Sequence, residues 1–127
     1  MKIPHKVKIK PGVFYHVVWV DKFDDPNQLG WCDDGLGTKN KPSNGPKLIY
    51  LKKGMGIKEA HSIFIHEVLH AIEYEYKIKI PHSVVYALQE PLAHVLTRNP
   101  KSVLSGLLGT YKPAHAAKRK RKKRRGG

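Results

Sequence analysis

The residues able to do chemistry in this chain cluster in one stretch, His66, Glu67, Val68, Leu69 and His70, an H-E-x-x-H pattern. Four residues make about 1.1 turns of an α-helix, so His66 and His70 emerge on one face, one above the other. Two neutral imidazoles at that spacing can grip one zinc ion. Glu67, roughly a quarter-turn round, can reach a zinc-activated water as general base. The flanks support a helix. Ile63, Ile65, Val68, Leu69 and Ile72 give an apolar surface wider than one stripe, as expected of a helix buried on several sides.

Two histidines do not fill a tetrahedral zinc site. A catalytic site needs a third protein ligand and leaves the fourth position to water. Downstream candidates are Glu73, His82, Glu90 and His94. Glu90 is favoured because 20 residues of chain after His70 suffice for a turn and a second helix that returns past the first. On a regular helix Glu90 shares a face with Ser83, Tyr86, Ala93, His94 and Thr97, and Ala71 and Ala93 are small enough to let the two helices approach closely. One Zn2+ per chain, held by His66, His70 and Glu90, is the resulting expectation. His94, Tyr86, His82 and Tyr74 are candidates to stabilise the transition state, and Glu73, on the His66/His70 face, is a candidate to orient a ligand. His5, His16, His61 and His115 read as structural or solvated, and Cys32 as a small core or loop residue.

The elements that must position these groups follow from pattern and punctuation. Residues 6–10 and 13–23 are dense in β-branched and aromatic side chains and are separated by the turn pair Pro11-Gly12. A short returning strand is expected at 29–32, a polar loop at 33–46, and a further strand at 47–52. The motif helix is expected over about 57–76, with Gly56 in place of a side-chain N-cap. A second helix starts near His82 and runs towards Thr97, with a kink or restart at Pro91. The fold class is therefore α+β: a small, mostly antiparallel sheet packed against the motif helix and a second, ligand-bearing helix.

At this point the chain resembles a known group. His66-Glu67-x-x-His70 followed by Glu90 is similar to the gluzincins, zincin metallopeptidases whose third ligand is a glutamate on the following helix. Its compactness resembles the minimal, phage-encoded and ImmA/IrrE-like members and, more distantly, SprT-like domains, over roughly residues 13–97. The resemblance implies a minimal zincin-like fold, zinc on His66, His70 and Glu90, and Glu67 as catalytic acid/base. His94 stands where larger gluzincins often place an acid that orients a ligand histidine.

Charge divides the 127-residue chain, whose formal net charge is +14. Eleven of the 24 Lys/Arg lie in 98–127, which has no acid, leaving 13 basic against 10 acidic residues before them, a net of +3. This fits a metallopeptidase domain over 1–98 and an extension over 99–127 ending in a basic, disordered tail. Its run Lys118, Arg119, Lys120, Arg121, Lys122, Lys123, Arg124 and Arg125 attracts polyanions and offers nonspecific contact with DNA or RNA. With no 18-residue apolar run, no apolar leader and a single cysteine, the chain reads as intracellular and off the membrane, and such a basic run would act as a nuclear signal in a eukaryotic cell.

The expected activity is hydrolysis of peptide bonds, the substrate lying extended along strand 47–52 and drawn from nucleic-acid-associated proteins. The alternative is a small nucleic-acid-binding protein with a non-catalytic structural zinc site.

Overall fold

The computed structural model describes residues 2–36 and 45–99. Four strands precede two helices: β1 (Lys6–Lys10), β2 (Val13–Val20), β3 (Gly30–Asp33), β4 (Leu48–Lys52), α1 (Ile57–Tyr76) and α2 (His82–Arg98). The chain divides into two units, Met1–His94 and Val95–Gly127. The basic run at 118–125, and most of the extension expected at 99–127, lie outside the described residues.

The protein is α+β, and its sheet is mixed, in the order β1-β2-β4-β3. β1 and β2 form an antiparallel pair around a turn in which Gly12 adopts a positive φ of 78°. The returning strand β3 does not pair with β2. β4 enters between them, parallel to β2 and antiparallel to β3. Two of the three pairings are thus antiparallel, and the central one is parallel. This order corrects the expected role of strand 47–52: β4 is bonded to a neighbour on both sides and has no edge to offer a substrate. Among the described residues the edges belong to β1 and β3.

Strand alternation sends Tyr15, Ile49, Leu51 and Cys32 to one face, where α1 covers them, and all four are buried. Burying each large apolar side chain contributes about 1.5–3 kcal/mol. The opposite face carries Trp31, Tyr50 and Val18, side by side across three strands. Polar ties fix α1 over its face. The Tyr15 hydroxyl donates to Glu75 Oε2 at 2.7 Å, and Lys47 Nζ reaches the same oxygen at 2.7 Å. Lys10 Nζ donates to the Glu75 carbonyl at 3.0 Å. The two lysines and the tyrosine hold the Glu75 carboxyl below its usual range, against the burial that would raise it.

α1 starts after Gly56, which has extended backbone and no side-chain cap. It stops at Lys77, whose left-handed backbone (φ 56°, ψ 40°) returns its N–H to the Glu73 carbonyl. Pro81 precedes α2 and its carbonyl accepts the N–H groups of Val84 and Val85. α2 is one continuous helix through Pro91, so of the kink or restart expected there the restart does not occur. No helix among the described residues is long and apolar enough to cross a membrane.

Candidate metal centre

α1 delivers His66 and His70 one turn apart on one face, as their spacing requires, with their Nε2 atoms 3.1 Å from each other. A tetrahedral zinc with Zn–N bonds of about 2.0–2.1 Å places two nitrogens about 3.3 Å apart, so this pair has the right span. The third donor is His82, the first residue of α2. One ligand atom from each of His66, His70 and His82 lies within 4.8 Å of the others. The three rings pack edge to face or tilted, with centroids 4.8–5.2 Å apart.

Hydrogen bonds fix which nitrogens are free. His66 Nδ1 lies 2.8 Å from Gln89 Oε1, and His70 Nδ1 lies 2.8 Å from Glu73 Oε1. Amide and carboxylate oxygens only accept, so each Nδ1 donates its N–H, and in a neutral ring so bonded Nε2 holds the lone pair that a metal can take. Two lone pairs 3.1 Å apart repel each other unless a proton or a metal cation joins them. A proton is disfavoured on His66: burial, aided by His70 and His82 and opposed by the Gln89 bond, holds this ring below its ordinary range. The donor set therefore fits a metal ion, and nitrogen-only coordination suits zinc.

Glu73 does two things at once. Its Oε1 orients His70, and its Oε2 accepts the backbone N–H of Ile80 at 2.8 Å. The carboxylate thus ties a ligand histidine to the connection that delivers His82. Burial would raise the Glu73 carboxyl, but the Ile80 N–H and the His70 ring outweigh it and hold it below the usual carboxylate range.

Glu67 faces the sheet. It is buried, at 6 % exposure, and among the described residues its carboxylate has no hydrogen-bond partner. Burial pushes its pKa up to about 7. Gly30 of β3 makes room for it: a Cβ there would stand 2.7 Å from Ile63 Cγ2 and 2.8 Å from Glu67 Oε2. Glu67 and the three histidines line one cavity of about 490 Å³, whose other walls include the stretch from Asn27 to Cys32, Tyr74 and Tyr86.

The remaining expected residues separate into two groups. Tyr86 and Tyr74 are on the cavity wall, and the Tyr86 ring packs against His66 and His82 at 5.0 and 4.9 Å. Glu90 and His94 are exposed, and neither belongs to the donor cluster or the cavity wall. Among the described residues it is His82, not the expected Glu90, that stands with His66 and His70 in the donor cluster, and helical phase is the reason. The side of α2 that turns inward carries His82, Val85, Gln89 and Ala93. Glu90 is rotated about 100° from Gln89 and points away. The two helices meet through His66 to Gln89 and through the rings of His66, His82 and Tyr86, and Ala71 and Ala93 are both buried. Gln89 and Gly30 are the residues that reading the motif alone does not find. No family model, curated protein or solved structure matches this chain.

Proposed function

We propose that the chain is a zinc-dependent peptidase of minimal zincin-like architecture, with zinc held by His66, His70 and His82 and Glu67 as general base and acid. The observation that carries this reading is the meeting, in one cavity, of a three-histidine donor set with a buried carboxylate that has no other partner. Zinc, when bound, supplies a Lewis acid and lowers the pKa of water to about 7. Glu67, itself raised to about 7 by burial, is matched to accept a proton at neutral pH and to return it to a leaving amine. A structural zinc site has no use for such a carboxylate, whose burial without a partner is destabilising.

A peptide is favoured as substrate because of the edge beside the site. Lys52 N–H donates to the Leu29 carbonyl at 3.0 Å, so Leu29, Trp31 and Asp33 turn their backbone groups to β4. Gly30 and Cys32 then turn theirs to the outer edge of β3, which is unpaired among the described residues and lines the cavity. An extended peptide can add there as a further strand, its backbone passing over Glu67. Tyr86 and Tyr74 supply hydroxyl groups on the cavity wall as donors to a developing oxyanion. The basic run at 118–125 would add salt-dependent attraction to nucleic acid and bring the enzyme to proteins bound there.

The test is hydrolysis of a casein-derived peptide mixture by the zinc-loaded protein. Glu67→Gln should keep its zinc and lose about 10²–10⁴-fold in rate. Hydrolysis that survives both this substitution and chelation overturns the reading.

A further inference from the structure

A second cavity, of about 390 Å³, is lined by Val20, Lys22, Phe23, Asp24, Gln28, Trp31 and Tyr50. Trp31 and Tyr50 are a directly opposed pair on the face of the sheet away from α1. Two wall residues, Gln28 and Trp31, also line the metal cavity, so the two hollows adjoin around the N-terminal end of β3. Trp31 is 53 % exposed, a large indole on the wall shared by the two hollows.

From this adjacency we infer that the second cavity is the specificity pocket of the same site, taking a large aromatic or aliphatic side chain of the peptide. The inference rests on the peptidase reading and adds a substrate class to it. Strand alternation supplies the geometry. A peptide paired to the β3 edge through Gly30 and Cys32 sends the side chains opposite those two residues towards α1 and the metal cavity. The side chain between them, opposite Trp31, goes to the other face, beside Trp31, Tyr50 and Phe23. Glu67 lies under Gly30, so the residue that fills this pocket is an immediate neighbour of the one held over the chemistry. The walls are three aromatic rings and a valine, with Lys22 and Asp24 among them, a lining that favours a bulky apolar group over a charged one.

Gln28 adds a selection step. Its Nε2 donates to the Gly30 carbonyl at 3.0 Å, occupying an edge acceptor that a paired peptide needs for its own N–H. A bound peptide must replace that bond, and a side chain filling the neighbouring pocket provides compensating burial. A peptide with glycine at that position exchanges one hydrogen bond for another and gains nothing from the pocket.

The test exposes zinc-loaded protein to a proteome-derived peptide library and reads the cut sites by mass spectrometry. Aromatic and large aliphatic residues should be enriched within about two residues of the cleaved bond. For a matched pair of peptides, aromatic against glycine, Phe23→Ala and Trp31→Ala should each lower the ratio of kcat/KM values by about tenfold, chiefly through KM. Cleavage without enrichment, or a ratio unchanged in both variants, overturns the pocket while leaving the peptidase reading intact. If nothing is cleaved, the peptidase reading fails, and retention of the same library on zinc-loaded Glu67→Gln protein decides the pocket separately. Selective retention of aromatic peptides that Phe23→Ala abolishes supports it, and unselective or absent retention overturns it.

Discussion

The two sides of the metal centre are built differently. On the α1 side, His66 and His70 stand on a helix pinned to the sheet through Glu75, and each has its Nδ1 bonded, to Gln89 and to Glu73. Their free nitrogens are already at a zinc-like spacing. On the α2 side, His82 begins a helix at the end of a short connection and is exposed. Among the described residues it has ring contacts with His66, His70 and Tyr86 but no hydrogen bond. The two imidazoles of α1 are thus positioned by hydrogen bonds, whereas His82 is placed by ring contacts alone among the described residues.

The largest effect that would sharpen this contrast concerns the buried carboxylate on the prepared side. In the metal-free protein the Glu67 pKa is raised from 4.5 to about 7, so the folded state holds a proton that the unfolded state has released. Stability must then fall as pH rises from about 4.5 to about 7. The full shift corresponds to about 3 kcal/mol. Denaturant titrations of metal-free Glu67→Gln and wild-type protein should therefore show the variant gaining on the wild type across this window. A constant difference would mean that Glu67 is ionised and paired in the fold.

Next come the two residues that orient the prepared ligands. Glu73→Ala removes the partner of His70 and also frees Ile80, which loosens the approach of His82. Gln89→Ala removes only the partner of His66. Loss of an orienting partner costs about 10–100-fold in metal affinity, and Glu73→Ala should lie at the upper end and Gln89→Ala at the lower. Competition with a zinc-chelating dye measures both. Equal effects would show that the Ile80 bond does not help to deliver His82. Smaller again is Gly30→Ala. The added methyl meets Ile63 and Glu67 below 3 Å, so thermal unfolding should report about 1–3 kcal/mol of destabilisation with zinc binding by the three histidines retained.

Much of this was written in local pattern. The five-residue spacing placed two histidines on one helix face, because a four-residue step on a helix does so in any context. Pro11-Gly12 and the β-branched run after it marked a hairpin, and Pro81 marked the start of α2. What could not be read locally was anything set by a distant partner. The motif and Glu90 suggest a helical phase for α2 that puts Glu90 inward. The observed phase is set by Val85 and Ala93, which are buried, and it brings Gln89 inward instead. Glycine at the first position of a strand was the available sign of close approach at Gly30, but the approaching residue lies 37 positions away. The identity of the edge strand was likewise hidden. Only the insertion of β4 between β2 and β3 leaves β3 at the edge, and that is a property of the sheet order rather than of either strand.

The central claim is that His82 completes the site that His66 and His70 begin. Zinc affinity and stoichiometry measured side by side for His82→Ala and Glu90→Ala test it most directly. The account predicts one zinc per chain in the wild type, an affinity unchanged in Glu90→Ala, and an affinity reduced by at least about 100-fold in His82→Ala, beyond what loss of an orienting residue alone produces. Zinc lost in Glu90→Ala but kept in His82→Ala would contradict it.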